Sequence, residues 1–299
     1  MTYSIVARDP ASGHLGVAGQ SCSFALGADL PWARAGVGAV ATQSWTDPGY
    51  GPRCLDLLAE GADAQAALDR VCDADKDSAE RQVGVVGADG SVASFTGSNC
   101  VPEVGHVIGD GFTTQANLMA GPGVCEAMAE SFTATPGALP DRLVAALHAA
   151  QQAGGDARGQ MSAAMIVVEG SARDHSWEGV LMDVRVDHHP QPVEELARLI
   201  RVAQSLQEDE KAYGQLKAGN PLGAMAAIER GLGLNPGSTD LLLSKVIALI
   251  GLGRPEEARA LTQEVLAVQP GWAGVLRYWC QHEELSFIDP GVAETLLAP

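Results

Sequence analysis

Aromatic residues are scarce in this chain: they make up 5% of its 299 residues, whereas glycine occurs 35 times. We therefore expect a core of Ala, Val, Leu and Ile with many close backbone approaches. Hydrophobic residues reach 46% and charged residues 19%, which excludes a disordered chain. At this length the composition favours two domains of unequal size.

Basic residues are also few. The chain has 19 Lys and Arg against 37 Asp and Glu, a net charge of −18, and no cluster of basic residues. Up to Pro190 the balance is 10 basic against 23 acidic residues. Because this charge repels phosphate groups, we expect no nucleic-acid partner and no anionic membrane partner.

Long apolar runs, paired cysteines and spaced histidines are lacking as well. The start, MTYSIVARDP, has no basic leader, and no run of about 18 apolar residues follows. The six cysteines include no C-x-x-C pair, and His188 and His189 are adjacent and would face opposite sides of a strand. We expect a soluble cytoplasmic protein with reduced thiols, no metal and no cofactor.

The hydrophobic pattern of the first part indicates strands that alternate with helix pairs. Turn-forming residues join the strand pairs, which predicts β-hairpins. Strands are predicted at 3–7, 15–19, 37–43, 82–86, 91–95, 162–168 and 179–186, and helices at 51–60, 62–72, 121–132 and 138–153. This order favours antiparallel sheets with helices packed outside them.

An internal repeat marks the second part. A shift of 34 residues places Pro221 on Pro255, Ala224 on Ala258 and Pro236 on Pro270. This spacing is that of tetratricopeptide repeats, and the segment resembles two such units. The predicted domains are 1–190 and 191–299. Two units are fewer than the three that usually stand alone, so we expect packing on the first domain or dimerisation.

Thr2 lies directly after the initiator Met and at the head of the first predicted strand. Removal of Met1 would leave a threonine whose own α-amine, with a reference pKa near 7.7 to 8.0, can take the proton from its Oγ. Nucleophile and base would then belong to one residue. Threonine after Met is also common without any such role.

The opening residues 2–26 resemble the first hairpin of N-terminal nucleophile hydrolases. A closer resemblance, to the family of unknown function DUF1028 of bacteria and archaea, is carried by the motifs YSIVARD (3–9), ATQSWTDP (41–48), QANL (115–118) and GGDARG (154–159). It implies a four-layer αββα sandwich with Thr2 in a cleft at the strand ends. The fold class expected is therefore α+β, followed by a small all-α tetratricopeptide-like domain.

Several polar residues are candidates to accompany Thr2. Ser4 shares its strand face, and Ser21 comes level with it if the hairpin is symmetric. Ser44 belongs to an alternating polar set with Thr42 and Thr46. Asn117 is a candidate oxyanion donor because its amide donates without titrating, although a turn-stabilising role is an equal alternative.

Asp156 and Arg158 lie in a glycine-rich loop, where Arg158 could bind a substrate carboxylate. The alternative is a surface ion pair. Proteasome-like relatives support their threonine with a lysine a few tens of residues downstream, whereas the first lysine here is Lys76. Arg34 is near that distance, but a guanidinium cannot accept a proton.

These residues predict an amidohydrolase of the N-terminal nucleophile type that acts on a small molecule or short peptide. The alternative is a non-catalytic scaffold that binds a ligand in the sandwich and a protein partner through the repeats. Apolar residues from Trp272 to Trp279 need a cover, either the tail at 285–297 or a second chain. We expect a homodimer.

Overall fold

A computed structural model describes residues 2–175, 177–281 and 291–298. It divides into two compact units, Met1–Ile200 and Arg201–Pro299. Within the described residues no helix is both long and apolar enough to cross a bilayer. The predicted boundary after Pro190 lies just before a helix, Pro192–Lys217, within which the two units divide.

The first unit contains two antiparallel sheets. Sheet A has six strands in the order β10-β9-β2-β1-β8-β7. Its strands are β1 (Thr2–Arg8), β2 (Leu15–Ser21), β7 (Gly105–Gly109), β8 (Phe112–Ala116), β9 (Ser162–Val168) and β10 (Val180–Val186). Sheet B has the order β3-β4-β5-β6. Its strands are β3 (Pro31–Arg34), β4 (Gly38–Ser44), β5 (Arg81–Gly87) and β6 (Val92–Thr96).

Four helices cover the outer faces of the two sheets. Sheet B packs on α1 (Tyr50–Ala59) and α2 (Ala64–Ala74), and sheet A packs on α3 (Val124–Ala134) and α4 (Leu139–Gln152). The strands alternate, so that Val6 points between the sheets while Tyr3 reaches α4, where its hydroxyl donates to Gln151. The predicted α+β sandwich is confirmed.

The second unit is helical. It contains the end of α5 (Pro192–Lys217), then α6 (Pro221–Leu234), α7 (Thr239–Gly251), α8 (Pro255–Val268), α9 (Trp272–Cys280) and α10 (Val292–Leu297). The 34-residue period aligns the starts of α6 and α8, each with proline in its first turn. α10 packs against α8 and α9, in one apolar cluster with Leu276. The described part of the tail therefore covers this cluster, while 282–290 lies outside the described residues.

Candidate functional site

Thr2 begins a central strand of sheet A and is held on both sides. In the hairpin it lies opposite Ser21, and its Oγ1 donates to Ser21 Oγ at 3.1 Å. On the other side its N–H donates to Asn117 O at 3.3 Å, and its own carbonyl accepts from Asn117 N–H at 3.1 Å. Thr2 is 3% exposed. The symmetric hairpin predicted for Ser21 places the two hydroxyls in contact.

Side-chain amides fill the space between the sheets beside Thr2. Gln43 Nε2 donates to the Thr2 carbonyl at 3.2 Å and to Gln82 Oε1 at 2.7 Å. Ser4 Oγ lies 2.7 Å from Gln43 Oε1 and 3.0 Å from Gln115 Oε1. Ser4 thus lies in the same buried layer as Thr2, on the strand face predicted for it. The side chains named here are hydroxyls and amides, so this group is polar without being charged.

Asn117 is joined to the same layer through Gln82. Its Nδ2 donates to Gln82 Oε1 at 2.8 Å, whereas its Oδ1 is buried and has no hydrogen-bond partner in the described structure. Gln82 Nε2 in turn lies 3.0 Å from the carbonyls of Gly105 and Ala116. The amide plane of Asn117 is therefore fixed from sheet B, while a lone pair and a second N–H remain for other partners.

The non-glycine residues with a left-handed backbone lie at one end of the sandwich, which we call the Thr2 end and define by Thr2, Ser21, Ser44, Ala116 and Ser162. Four non-glycine residues of the described chain have positive φ: Ala25 (55°), Ser44 (74°), Glu103 (55°) and Leu118 (54°). Ser44 is the last residue of β4, and Leu118 follows the end of β8 by two residues. Ala25 and Glu103 are hydrogen-bonded to residues that follow the ends of β10 and β8. This conformation costs about 1–2 kcal/mol per residue, and such strain clusters at functional sites.

Ser44 lies at the edge of this region but does not contact Thr2. Its Oγ is buried without a hydrogen-bond partner among the residues described. Thr42, from the same alternating set, faces the helices with Val40, and its hydroxyl donates to Asp47 O. Gln43, between them, is the residue of β4 that reaches Thr2.

Asp156 and Arg158 form an ion pair next to Ser21, with the carboxylate buried and the guanidinium partly exposed. The Asp156 side chain is wholly buried and accepts from Arg158 Nη2 at 2.8 Å, from Arg158 N at 2.9 Å and from Cys22 N at 3.2 Å. The hydrogen bond to Asp156 raises the pKa of Arg158 further above its usual range. The guanidinium is fixed, yet 36% of its side chain is exposed.

The opposite face of β1 carries a second group of buried polar side chains. Tyr3 donates to Gln151 Oε1 at 3.1 Å, and burial, followed by the charge of Asp156, raises the pKa of Tyr3. Gln20, opposite Tyr3 in the hairpin, is fully buried, and neither its Nε2 nor its Oε1 has a partner in the described structure.

A cavity of about 190 Å³ opens beside Ala116 and Met119, at the start of α3. His106 lines it and lies 2.8 Å from Thr96 Oγ1, and burial lowers the pKa of His106. Ala116 shares the helix-facing side of sheet A with Tyr3, whereas His106 pairs with Gln115 and bonds to Thr96 of sheet B. The cavity therefore lies at the β7 edge of sheet A, two strands away from β1 and Thr2.

Within the described residues, neither a metal site nor a basic side-chain partner lies beside Thr2. Among the described residues, no three His, Cys, Asp or Glu side chains come together as a metal would require. Arg34 pairs with Asp56 at 2.8 Å and lies opposite Gly38, at the far end of β4 from Ser44. Lys76 follows α2. Neither cation reaches Thr2.

Three glutamines of the buried layer, Gln43, Gln82 and Gln115, were not among the sequence candidates. The sequence feature that could have identified them is an amide side chain in an otherwise apolar strand. A buried amide needs hydrogen-bond partners, which a neighbouring element must supply. Gly84 adds a second signal: a Cβ there would overlap the Gln115 amide, so glycine permits the close approach of the two sheets.

Comparisons with known proteins agree with this architecture. The model of a family of unknown function, DUF1028, matches residues 2–196, and a tetratricopeptide repeat model matches 215–277. A crystal structure of a Silicibacter pomeroyi protein, described under the same family model, is 31% identical over 68% of this chain and 86% of that chain, with a TM-score of 0.62. No curated protein matches. The chain belongs to the family of unknown function DUF1028.

Proposed function

We propose that the sandwich is an N-terminal nucleophile hydrolase that cleaves an amide bond in a small molecule or short peptide. The observation that supports this most is the position of Thr2 at the head of a central strand, between Ser21 and Asn117 and facing the layer between the sheets. Removal of Met1 converts the Thr2 nitrogen into an amine that can act as a base.

In the proposed reaction Thr2 Oγ attacks the amide carbonyl carbon while its proton passes to the Thr2 α-amine. The tetrahedral intermediate collapses, the C–N bond breaks, and the amine group passes that proton to the leaving amine. Water then attacks the acyl ester, giving a proton to the α-amine. The C–O bond to Thr2 breaks, Oγ regains the proton, and a carboxylic acid leaves.

Asn117 and Arg158 have separate roles in this proposal. The second N–H of Asn117 Nδ2 would donate to the developing oxyanion, since its first is fixed on Gln82. Arg158 would bind a carboxylate of the substrate, while Asp156 holds the guanidinium in one orientation. Ser4 and Ser44 would serve as polar contacts at the base and at the edge of the site.

Mass spectrometry of the protein purified from its own host tests the mechanism. We expect a chain that begins at Thr2, and an acyl adduct on that chain after brief incubation with an activated amide. Full retention of Met1 would reject the mechanism, because an acylated nitrogen cannot be the base.

A scaffold function is the second candidate, favoured by the tetratricopeptide match at 215–277. In that case the helical repeats bind a protein partner and the sandwich keeps a ligand without reacting with it. The Thr2→Ala variant would then keep every measurable activity of the protein. A hydroxyl-reactive probe that labels Thr2 in the native protein, but not after denaturation, would argue against it.

A further inference from the structure

A path of hydrogen bonds leads from the cavity at the start of α3 towards Thr2. His106 lines this cavity, and its Nδ1 lies 2.8 Å from Thr96 Oγ1. Thr96 Oγ1 in turn accepts from Gln82 Nε2 at 3.1 Å. We call this the Thr96 path and define it by His106, Thr96 and Gln82. The imidazole at the cavity wall is thus two hydrogen bonds away from the amides between the sheets.

Gln82 connects the Thr96 path to the two residues that hold Thr2. Its Oε1 accepts from Asn117 Nδ2 at 2.8 Å and from Gln43 Nε2 at 2.7 Å. Asn117 exchanges both backbone hydrogen bonds with Thr2, and Gln43 donates to the Thr2 carbonyl at 3.2 Å. A change in the orientation of the Gln82 amide therefore reaches the Asn117 side chain and the Thr2 carbonyl.

The Nε2 side of Gln82 determines how this amide is oriented. Nε2 lies within 3.1 Å of three acceptors, which are Thr96 Oγ1, Gly105 O and Ala116 O. An amide has two N–H groups, so the three acceptors share them. The Thr96 hydroxyl is the partner that can change, because a hydroxyl rotates whereas the strand carbonyls are fixed. While His106 Nδ1 accepts, the Thr96 O–H points at the imidazole and its lone pairs face Gln82.

Protonation of His106 reverses the outer bond of the Thr96 path. An imidazolium donates from both ring nitrogens, so Nδ1 then donates to Thr96 Oγ1 and the Thr96 proton must turn away. On its other side Thr96 meets a Gln82 N–H, so two donors then face each other. Burial lowers the pKa of His106 from its usual value, which keeps the imidazole neutral at physiological pH.

The other titratable groups around His106 come from the loop before β7 and from α3. Glu103, Cys125 and Glu126 line the same cavity, and burial raises the pKa of Cys125 to about 12. The neighbouring strands β6 and β8 contain no titratable residue. Among these side-chain types, imidazole is the one that ordinarily changes its charge between about pH 5 and 8. His106 is therefore the group through which pH in this range acts on the path.

We propose that His106 is a positioning residue for Thr2 and Asn117. When neutral, it holds the Thr96 hydroxyl so that Gln82 keeps both residues in the arrangement described above. When protonated, it loosens that arrangement, and activity is confined to conditions in which the cavity imidazole is neutral. As a statement about the hydrogen bonds this stands by itself, and as a statement about catalysis it rests on the proposed hydrolysis.

Nuclear magnetic resonance of the full-length protein tests the Thr96 path without turnover. We expect the His106 imidazole to carry its proton on Nε2 at neutral pH. As pH is lowered, the side-chain amide signals of Gln82 and Asn117 should shift with the midpoint of His106. Thr96→Val, which removes the hydroxyl and keeps the shape, should abolish both shifts while His106 still titrates. His148→Asn is the matched control, because His148 lies on α4 beside Glu194 and should leave both shifts unchanged.

Two results would overturn the path. The first is a neutral imidazole with its proton on Nδ1, because the Thr96 hydroxyl would then find no acceptor in His106. The second is a pair of amide signals that stay constant through the His106 titration, or that shift equally in Thr96→Val.

The catalytic role is tested separately with the Met1-free protein. In the proposed reaction, protonation of the Thr2 amine already lowers kcat as pH falls. The parent should show a second downward bend at the His106 midpoint. His106→Asn, which offers an acceptor that does not titrate, should lack that bend, whereas His106→Ala should lower kcat severalfold with little change in KM.

The two proposals fail in different ways. A parent profile without the second bend would reject the catalytic role of His106 while the hydrolysis stands. Amide shifts without any hydrolysis would reject the hydrolysis and leave the hydrogen-bond path in place.

Discussion

Thr2 and Asn117 exchange both backbone hydrogen bonds, one residue beyond the last strand pair of β1 and β8. The side chain of Asn117 can therefore be removed without removing the contact that fixes the Thr2 nitrogen. This separates a chemical role of its amide from a structural one. Within the described residues, the contact that this variant removes from the amide layer is the hydrogen bond from Nδ2 to Gln82 Oε1.

Asn117→Ala is predicted to lower kcat about 10²–10³-fold with little change in KM, as expected for an oxyanion donor. Steady-state kinetics on the Met1-free chain measures this. Gln115→Ala is the control, since Gln115 lies two residues earlier on the same face and contacts Ser4 and Thr113 rather than Thr2. A stability loss in Asn117→Ala without a loss in kcat would support the turn-stabilising alternative.

Gln82→Met is predicted to lower the free energy of unfolding by about 2–5 kcal/mol, because it leaves the buried donors of Gln43 and Asn117 without an acceptor. Urea unfolding of the full chain measures the change. Gln65→Met, on the exposed side of α2, should change stability by less than about 0.5 kcal/mol. A loss below about 1 kcal/mol in Gln82→Met would contradict the role given to this side chain.

Much of the fold follows from local sequence. The hairpins β1–β2 and β5–β6 were predicted because apolar runs flank short turn segments, and α3 and α4 because Pro136 and Gly137 separate two helical patterns. β3 was missed, since its four residues begin with proline. β7 was missed because glycine at both ends of the strand resembles a loop.

Less of the candidate site than of the fold could be predicted from the sequence. The position of Ser21 opposite Thr2 follows from hairpin symmetry, which is a local property. The contacts of Gln43 and Gln82 depend on how sheet B faces sheet A, and no local pattern encodes the register between two packed sheets. Ser44 was a candidate because hydroxyl residues alternate along its strand. In the structure it is the preceding residue, Gln43, whose side chain reaches Thr2.

Asp209→Asn is predicted to stabilise the second unit at neutral pH. Burial, with the charges of Asp240 and Glu210, raises the pKa of Asp209, so the folded state binds its proton more readily than the unfolded state. The ionised carboxylate therefore costs stability once pH exceeds that raised pKa. Asn keeps an acceptor for Ser244 Oγ, which lies 2.6 Å from Asp209 Oδ1.

Urea unfolding over a range of pH tests this sign. The gain in Asp209→Asn should disappear as pH falls below about 3.9, where the unfolded carboxyl is also protonated. Glu229→Gln, an exposed change on α6, should show no such pH dependence. A variant less stable than the parent at neutral pH would contradict the prediction.

Leu296→Ala is predicted to lower the stability of the second unit by about 2–4 kcal/mol, because Leu296 is 1% exposed in the cluster that contains Leu276. Thermal unfolding followed by circular dichroism measures the loss. Leu222→Ala removes the same atoms from a side chain that is 71% exposed, and should cost well under about 1 kcal/mol. Equal effects of the two changes would show that α10 does not cover the cluster in solution.

The chain is predicted to form a homodimer in which the surface of α9 takes part. Although α10 covers Leu276, Val275 remains 37% exposed and Tyr278 63% exposed on the same helix. Exposed apolar and aromatic residues side by side favour an interface. Light scattering should give twice the mass of one chain, and Tyr278→Glu should shift the full-length protein towards the monomer. Leu222→Glu, an equally exposed site on α6, should leave the mass unchanged, and a monomeric parent chain at micromolar concentration would reject the dimer.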